Sequence, residues 1–182
     1  MYIETVAVIV FIVCVAVACL YVFAELRRYS NKRKKLEETL CDGHLKNALI
    51  QSNARLIKRW HSSIIIYHTF HTISKLCGIL SVCFSIISLV ACNKDVKCYD
   101  TASCTWISAA SVVFVVIAVF LMPNRKIPDS SRIFKCCDYK LNKLIVEKEL
   151  MQAMDDKQAL TKGYEITAFI DRMEMSNISD DD

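Results

Sequence analysis

Residues 76–92 read LCGILSVCFSIISLVAC and residues 104–122 read CTWISAASVVFVVIAVFLM. Neither stretch contains Asp, Glu, Lys, Arg or His, and a link carrying only Lys94, Asp95, Lys97 and Asp100 as charges separates them. A helix rises ~1.5 Å per residue and the hydrocarbon core of a bilayer is ~30 Å thick, so each stretch is about long enough to cross it. The pair reads as an apolar hairpin. A third uncharged stretch, TVAVIVFIVCVAVACLYVFA at residues 5–24, precedes it. The expected fold is therefore an all-α integral membrane protein with three transmembrane helices, a cytosolic helical bundle and an oligomeric state.

The flanking charges give this arrangement a direction. The first stretch is followed by Arg27, Arg28, Lys32, Arg33, Lys34 and Lys35, and the third by Arg125 and Lys126. Excess Lys and Arg stays on the cytoplasmic side, which sets the N-terminus outside and the C-terminus inside in a multi-pass membrane protein. Glu4 stands before the first stretch where a cleaved signal would carry positive charge, so the stretch reads as a retained anchor. The chain divides into an anchor (1–25), a basic cytosolic amphipathic region (26–75), a transmembrane hairpin (76–122) and cytosolic C-terminal helices with an acidic tail (123–182).

The net charge of +4 conceals an uneven distribution. Residues 25–75 hold eleven Lys/Arg and four Asp/Glu, a local charge of +7, whereas residues 123–182 hold ten and twelve, a local charge of −2. Arg27, Arg28, Lys32, Arg33, Lys34 and Lys35 lie where anionic headgroups attract each basic residue by ~1 kcal/mol, and read as a lipid contact. Arg55, Lys58 and Arg59 stand at i, i+3 and i+4, one compact positive patch on a helix. Arginine offers a planar donor fork and lysine a point charge, so the patch suits an anionic ligand as well as a solvated face.

Apolar periodicity places helices on the cytosolic side. Leu45, Leu49, Leu56, Trp60, Ile64, Tyr67 and His71 share one face of a helix running from about residue 44 into the second span. Pro128-Asp129-Ser130 reads as a turn and cap before a helix striped by Phe134, Cys137, Leu141, Leu144, Lys148 and Met151, with one charge interrupting the stripe. Gly163 is expected to interrupt the helical pattern ahead of a short piece carrying Ile166, Phe169, Ile170 and Met173. These faces want more partner surface than one chain supplies, which points to self-association.

Ten cysteines suggest a disulfide scaffold until they are placed on this topology. Only Cys98 and Cys104, with Cys92 at the boundary, fall on the outer face, where a disulfide persists; the others sit in apolar helices or on the reducing side. Three glycines leave no phosphate-cradling loop, nucleophile elbow or dinucleotide fingerprint, and no cofactor, metal site or enzyme activity is expected. His61, His68 and His71 share a helical face but suit the polar edge of a membrane helix better than a metal. Ser81, Ser85 and Ser88 form a small polar stripe in the second span, and Thr105, Ser108 and Ser111 one in the third. Such stripes pack helices together or line a water-filled pore; both readings stay open, with Ser81, Ser85 and Ser88 as pore-lining candidates.

The sequence of a basic amphipathic helix bearing Asn53-Ala54-Arg55 and Trp60-His61, an apolar hairpin and a charged amphipathic helix resembles the SLATT family over about residues 44–151. Those are two-transmembrane effectors found beside nucleotide-synthesising enzymes in bacterial conflict systems; the helix at residues 5–24 is an addition to that plan. The resemblance implies a homo-oligomeric antiviral effector of the inner membrane, an ion channel or pore governed by a nucleotide or short oligonucleotide from a companion nucleotidyltransferase. Two other classes remain in view: a membrane scaffold or adaptor without a pore, and a small membrane protein with a disulfide-closed outer loop.

Overall fold

The computed structural model describes residues 2–91, 101–121 and 126–175, and among these every regular element is an α-helix. They are α1 (Tyr2–Leu40), α2 (Asn47–Ala91), α3 (Thr101–Leu121), α4 (Lys126–Val146), α5 (Lys148–Gln152) and α6 (Asp156–Met175). The Cys98–Cys104 pair and the acidic tail fall outside what is described: Cys98, the Cys104 side chain and residues 176–182 are not included.

The helices divide into two units, one of residues 1–25 and 68–127, the other of residues 26–67 and 128–182. Both α1 and α2 are uninterrupted helices that contribute to each.

The first unit is apolar outside as well as inside. Its small core joins Ala7, Leu80, Phe84 and Ile107, and Phe114 stacks against Phe84 at 5.5 Å and Phe11 at 6.3 Å between ring centroids. Ser74 Oγ donates to the Ala118 carbonyl (3.3 Å) and Ser111 Oγ to the Ser81 carbonyl (3.1 Å), so α3 runs antiparallel to α2. Around this core Phe23, Leu89, Val116 and Phe120 face outward. α1 and α2 are long and apolar enough to cross a membrane, and α3 contributes a shorter apolar helix, Thr105–Leu121. Only 6% of the most apolar window of α1 and 28% of that of α2 is buried within the chain. A core helix of a water-soluble protein would hide such a surface; an apolar face this extensive needs a non-aqueous surround or another protein.

The second unit is a four-helix bundle. Residues 26–40 of α1 run antiparallel to residues 47–67 of α2: Tyr29 meets Trp60 edge-on at 6.1 Å, and Asn53 Nδ2 donates to the Leu40 carbonyl at 2.7 Å. α4 also opposes α2, bringing Phe134 to Tyr67 and Asp138 to Trp60. α6 returns alongside α2, with Lys46 paired to Asp156 at one end and Arg59 to Glu174 at the other. Leu49, Leu56, Trp60, Cys137, Leu144, Met151 and Ile166 are fully buried in its centre.

Three sequence expectations are corrected by this bundle. The stripes on α2 and α4 do not lack partners within one chain, because each is buried against the other and against α1 and α6. The missing partner was the distal part of α1, where Leu36 and Leu40 are buried. Gly163 does not break a helix. α6 passes straight through it, and a Cβ there would stand 3.2 Å from both the Ala48 carbonyl oxygen and Ser52 Oγ, so the glycine permits close contact with α2. Finally, α4 begins at Lys126, ahead of the expected Pro128-Asp129-Ser130 turn; proline is tolerated in a first turn, whose N–H groups have no helical acceptor.

Candidate functional site

The polar chemistry of the bundle gathers along two seams of α2. The first is the α2–α6 seam, where Gly163 lets the two backbones approach. A cleft of about 210 Å³ opens there, edged by Gln51, Ser52, Arg55, Gly163, Tyr164 and Thr167. Ser52 Oγ lies 2.9 Å from the Ala48 carbonyl oxygen and 3.0 Å from that of Gly163, so its single proton is shared between them. Thr167 Oγ1 donates to the same Gly163 carbonyl at 3.0 Å. Both hydroxyl protons are thus engaged by backbone, leaving the Arg55 guanidinium, the Gln51 amide and the Tyr164 phenol as the cleft's outward-facing donors.

The expected cationic patch is only partly assembled. Arg55 and Lys58 are exposed, and among the described residues neither pairs with a carboxylate. Arg59 is half-buried and directed to Glu174, Nε to Oε1 3.4 Å. Its charge also reaches the Cys137 thiol on α4: burial pushes that thiol up to about 12, and the nearby Arg59 opposes the rise. Arg59 is therefore a bundle residue as well as a member of the patch.

The second seam, between α1, α2 and α4, centres on Asp138. Its Oδ1 accepts from Lys32 Nζ at 2.7 Å and from Trp60 Nε1 at 3.1 Å, and its Oδ2 from Asn142 Nδ2 at 3.2 Å. Lys32 also stands over the Trp60 ring, 5.2 Å from the centroid. The basic cluster after the first apolar stretch thus divides. Lys32 is tied to Asp138 and Arg33 to Glu37 (2.7 Å) within the bundle, whereas Arg27, Lys34 and Lys35 are exposed and pair with no carboxylate among the described residues; Arg28 is exposed as well. Asp138 was not legible as a site residue from spacing. The signal that points to it is Trp60, whose indole N–H needs an acceptor once the ring is buried.

Asn53 is also fully buried, and its amide satisfies a carbonyl at the end of α1 that has no helical donor. His61 is held below its ordinary value, first by burial and then by Arg33, with Glu37 opposing. Among the described residues no group of three or more His, Cys, Asp or Glu side chains could hold a metal ion.

The serine stripe of α2 meets α3 within one chain. Ser81 is buried, and Ser85 Oγ lies 2.7 Å from Ser111 Oγ. Ser85 and Ser88 retain exposed surface. Ser81 and Ser111 join α2 to α3 within the chain, and Ser85 shares in that contact while keeping exposed surface.

No protein-family model, curated protein or solved structure matches this chain.

Proposed function

We propose that the chain is a multi-pass inner-membrane protein, N-terminus outside and C-terminus in the cytoplasm, that assembles into a homo-oligomeric ion pore controlled by an anionic ligand. α3 is its third span. The bundle is the sensing part, and Arg55, Lys58 and Arg59 receive the ligand's phosphates. The observation that carries this reading is the continuity of α2: one helix bears Arg55 at the cleft and, without a break, the exposed apolar surface beyond residue 76.

Phosphate arriving at Arg55 and Lys58 would compete with Glu174 for Arg59, changing the hold of α6 on α2. Such a ligand shifts the pore only by as much as its affinities for the open and closed states differ. The architectural resemblance to SLATT effectors supplies the setting: antiviral defence, with a nucleotide or short oligonucleotide made by a companion nucleotidyltransferase as the regulator.

The test is ion flux from liposomes containing the purified chain, with and without a short oligoadenylate as probe. Flux that responds to the probe in the wild type but not in Arg55→Glu supports the reading; intact oligomers that never conduct contradict it. The Ser85–Ser111 contact favours a second reading, a pore-free membrane scaffold, because it uses the stripe for packing. Replacement of Ser85 by Leu separates the two. Reduced flux with assembly unchanged marks a pore lining, and lost assembly with unchanged conductance of residual oligomers marks a packing surface.

A further inference from the structure

An apolar groove of about 520 Å³ runs along the outside of the α2–α3 pair, lined mainly by Gly78, Ile79, Val82, Ala118 and Val119, with Lys75 at its mouth. We propose that it seats an acyl chain of a membrane phospholipid whose anionic headgroup meets the Lys75 ammonium, an inference that rests on the membrane reading above.

Gly78 carries the first part of the argument. It lies inside a long helix, where glycine costs roughly 0.5–1 kcal/mol relative to alanine. At Gly163 close packing explains the missing side chain; at Gly78 it does not, since a Cβ would meet nothing within 4 Å. The missing side chain deepens the groove floor. Ser74 turns its hydroxyl inward to the Ala118 carbonyl, so that wall presents no polar group outward. Ile79, Val82 and Val119 are more than half exposed and form the rim.

Lys75 carries the second part. It is the last charged residue before the uncharged stretch from residue 76, which sets its ammonium at headgroup level above a channel of hydrocarbon character. It is exposed, and among the described residues no carboxylate pairs with it. From Lys75 to Val82 the groove extends ~10 Å along the helix, enough for part of one acyl chain. A phosphate above and a methylene chain below match both ends, in the manner of basic pockets between membrane helices that hold acidic lipids.

The experiment places the full chain in phosphatidylcholine vesicles doped with a photoactivatable, diazirine-tailed phosphatidylglycerol or phosphatidylcholine, and maps adducts by mass spectrometry. The expected result is phosphatidylglycerol adducts concentrated on Ile79, Val82 and Val119 over Val112 and Val116, which are exposed outside the groove. Lys75→Gln should cut the preference for the anionic lipid about five-fold, the equivalent of ~1 kcal/mol per basic residue at an acidic surface. Gly78→Leu should remove the groove adducts while Val112 and Val116 remain labelled. Equal labelling of all five positions by both lipids would overturn the proposal, as would a bare groove beside labelled Val112 and Val116, the result expected if a second copy covers it. No adducts at any of the five would refute the membrane reading itself.

Discussion

Replacing Asp138 by Leu should destabilise the bundle through a group that Asp138 does not itself contain, the Trp60 indole N–H. Trp60 is fully buried and its Nε1 donates to Asp138 Oδ1 at 3.1 Å. Leucine leaves that donor without an acceptor, a loss of about 1–3 kcal/mol. The accompanying loss of the Lys32 pair is smaller, because the side chains are 43% and 33% exposed and such pairs contribute about 0–1 kcal/mol. The sum is roughly 1–4 kcal/mol, which for a chain of this size lowers the melting temperature by about 2–16 °C. Asp138→Asn retains an oxygen for the indole and loses only the charge, so its cost should stay below about 1 kcal/mol. Thermal unfolding in mild detergent, followed by tryptophan emission in a Trp106→Phe background, reads the Trp60 environment directly. Equal losses from Asn and Leu would refute the acceptor argument and assign the stability to charge.

Further consequences concern the bundle's interior and its pH response. Under native conditions a thiol reagent should label exposed Cys136 and spare Cys137, whose thiol is pushed up to about 12 by burial; mass mapping after a brief pulse checks this. Because the fold holds the Cys137 proton past its ordinary value of 9.0, stability should fall as pH rises from 9.0 toward about 12, by ~1.4 kcal/mol per unit at most, and Cys137→Val should flatten that slope in pH-dependent melting. His61 is shifted the other way: its neutral form suits the fold, so its contribution is present above 6.5 and lost as pH falls below it, and His61→Gln should reduce the acid sensitivity of the melting curve. Gly163→Leu should cost about 1–3 kcal/mol by overpacking the α2–α6 seam, whereas Gly78→Ala, with open space around it, should be neutral or stabilising by up to ~1 kcal/mol; paired melts decide both.

Periodicity carried much of the bundle. The α2 stripe of Leu49, Leu56, Trp60 and Ile64 and the α4 stripe of Cys137, Leu141 and Leu144 were legible because each repeats at helical spacing and is buried. The distal part of α1 was not, because six basic residues around Leu36 read as a lipid contact and masked the 29, 36, 40 spacing of Tyr29, Leu36 and Leu40. Gly163 misled for a related reason: a helical propensity scale registers the entropy of glycine but not the backbone contact it allows. At the site, charge spacing brought out Arg55, Lys58 and Arg59 together, yet it could not show that Arg59 faces Glu174 from a helix more than a hundred residues away. Asp138 was hidden because its partners lie on two other helices.

If the apolar helices cross the membrane as proposed, the bundle lies inside the cell. A membrane-impermeant maleimide applied to intact cells tests this most directly, since the Cys136 side chain is exposed on the bundle and Cys98 sits in the link between the second and third apolar stretches. Labelling of Cys98 from outside, with Cys136 reached only after permeabilisation, is the predicted result; labelling of Cys136 in intact cells would contradict it.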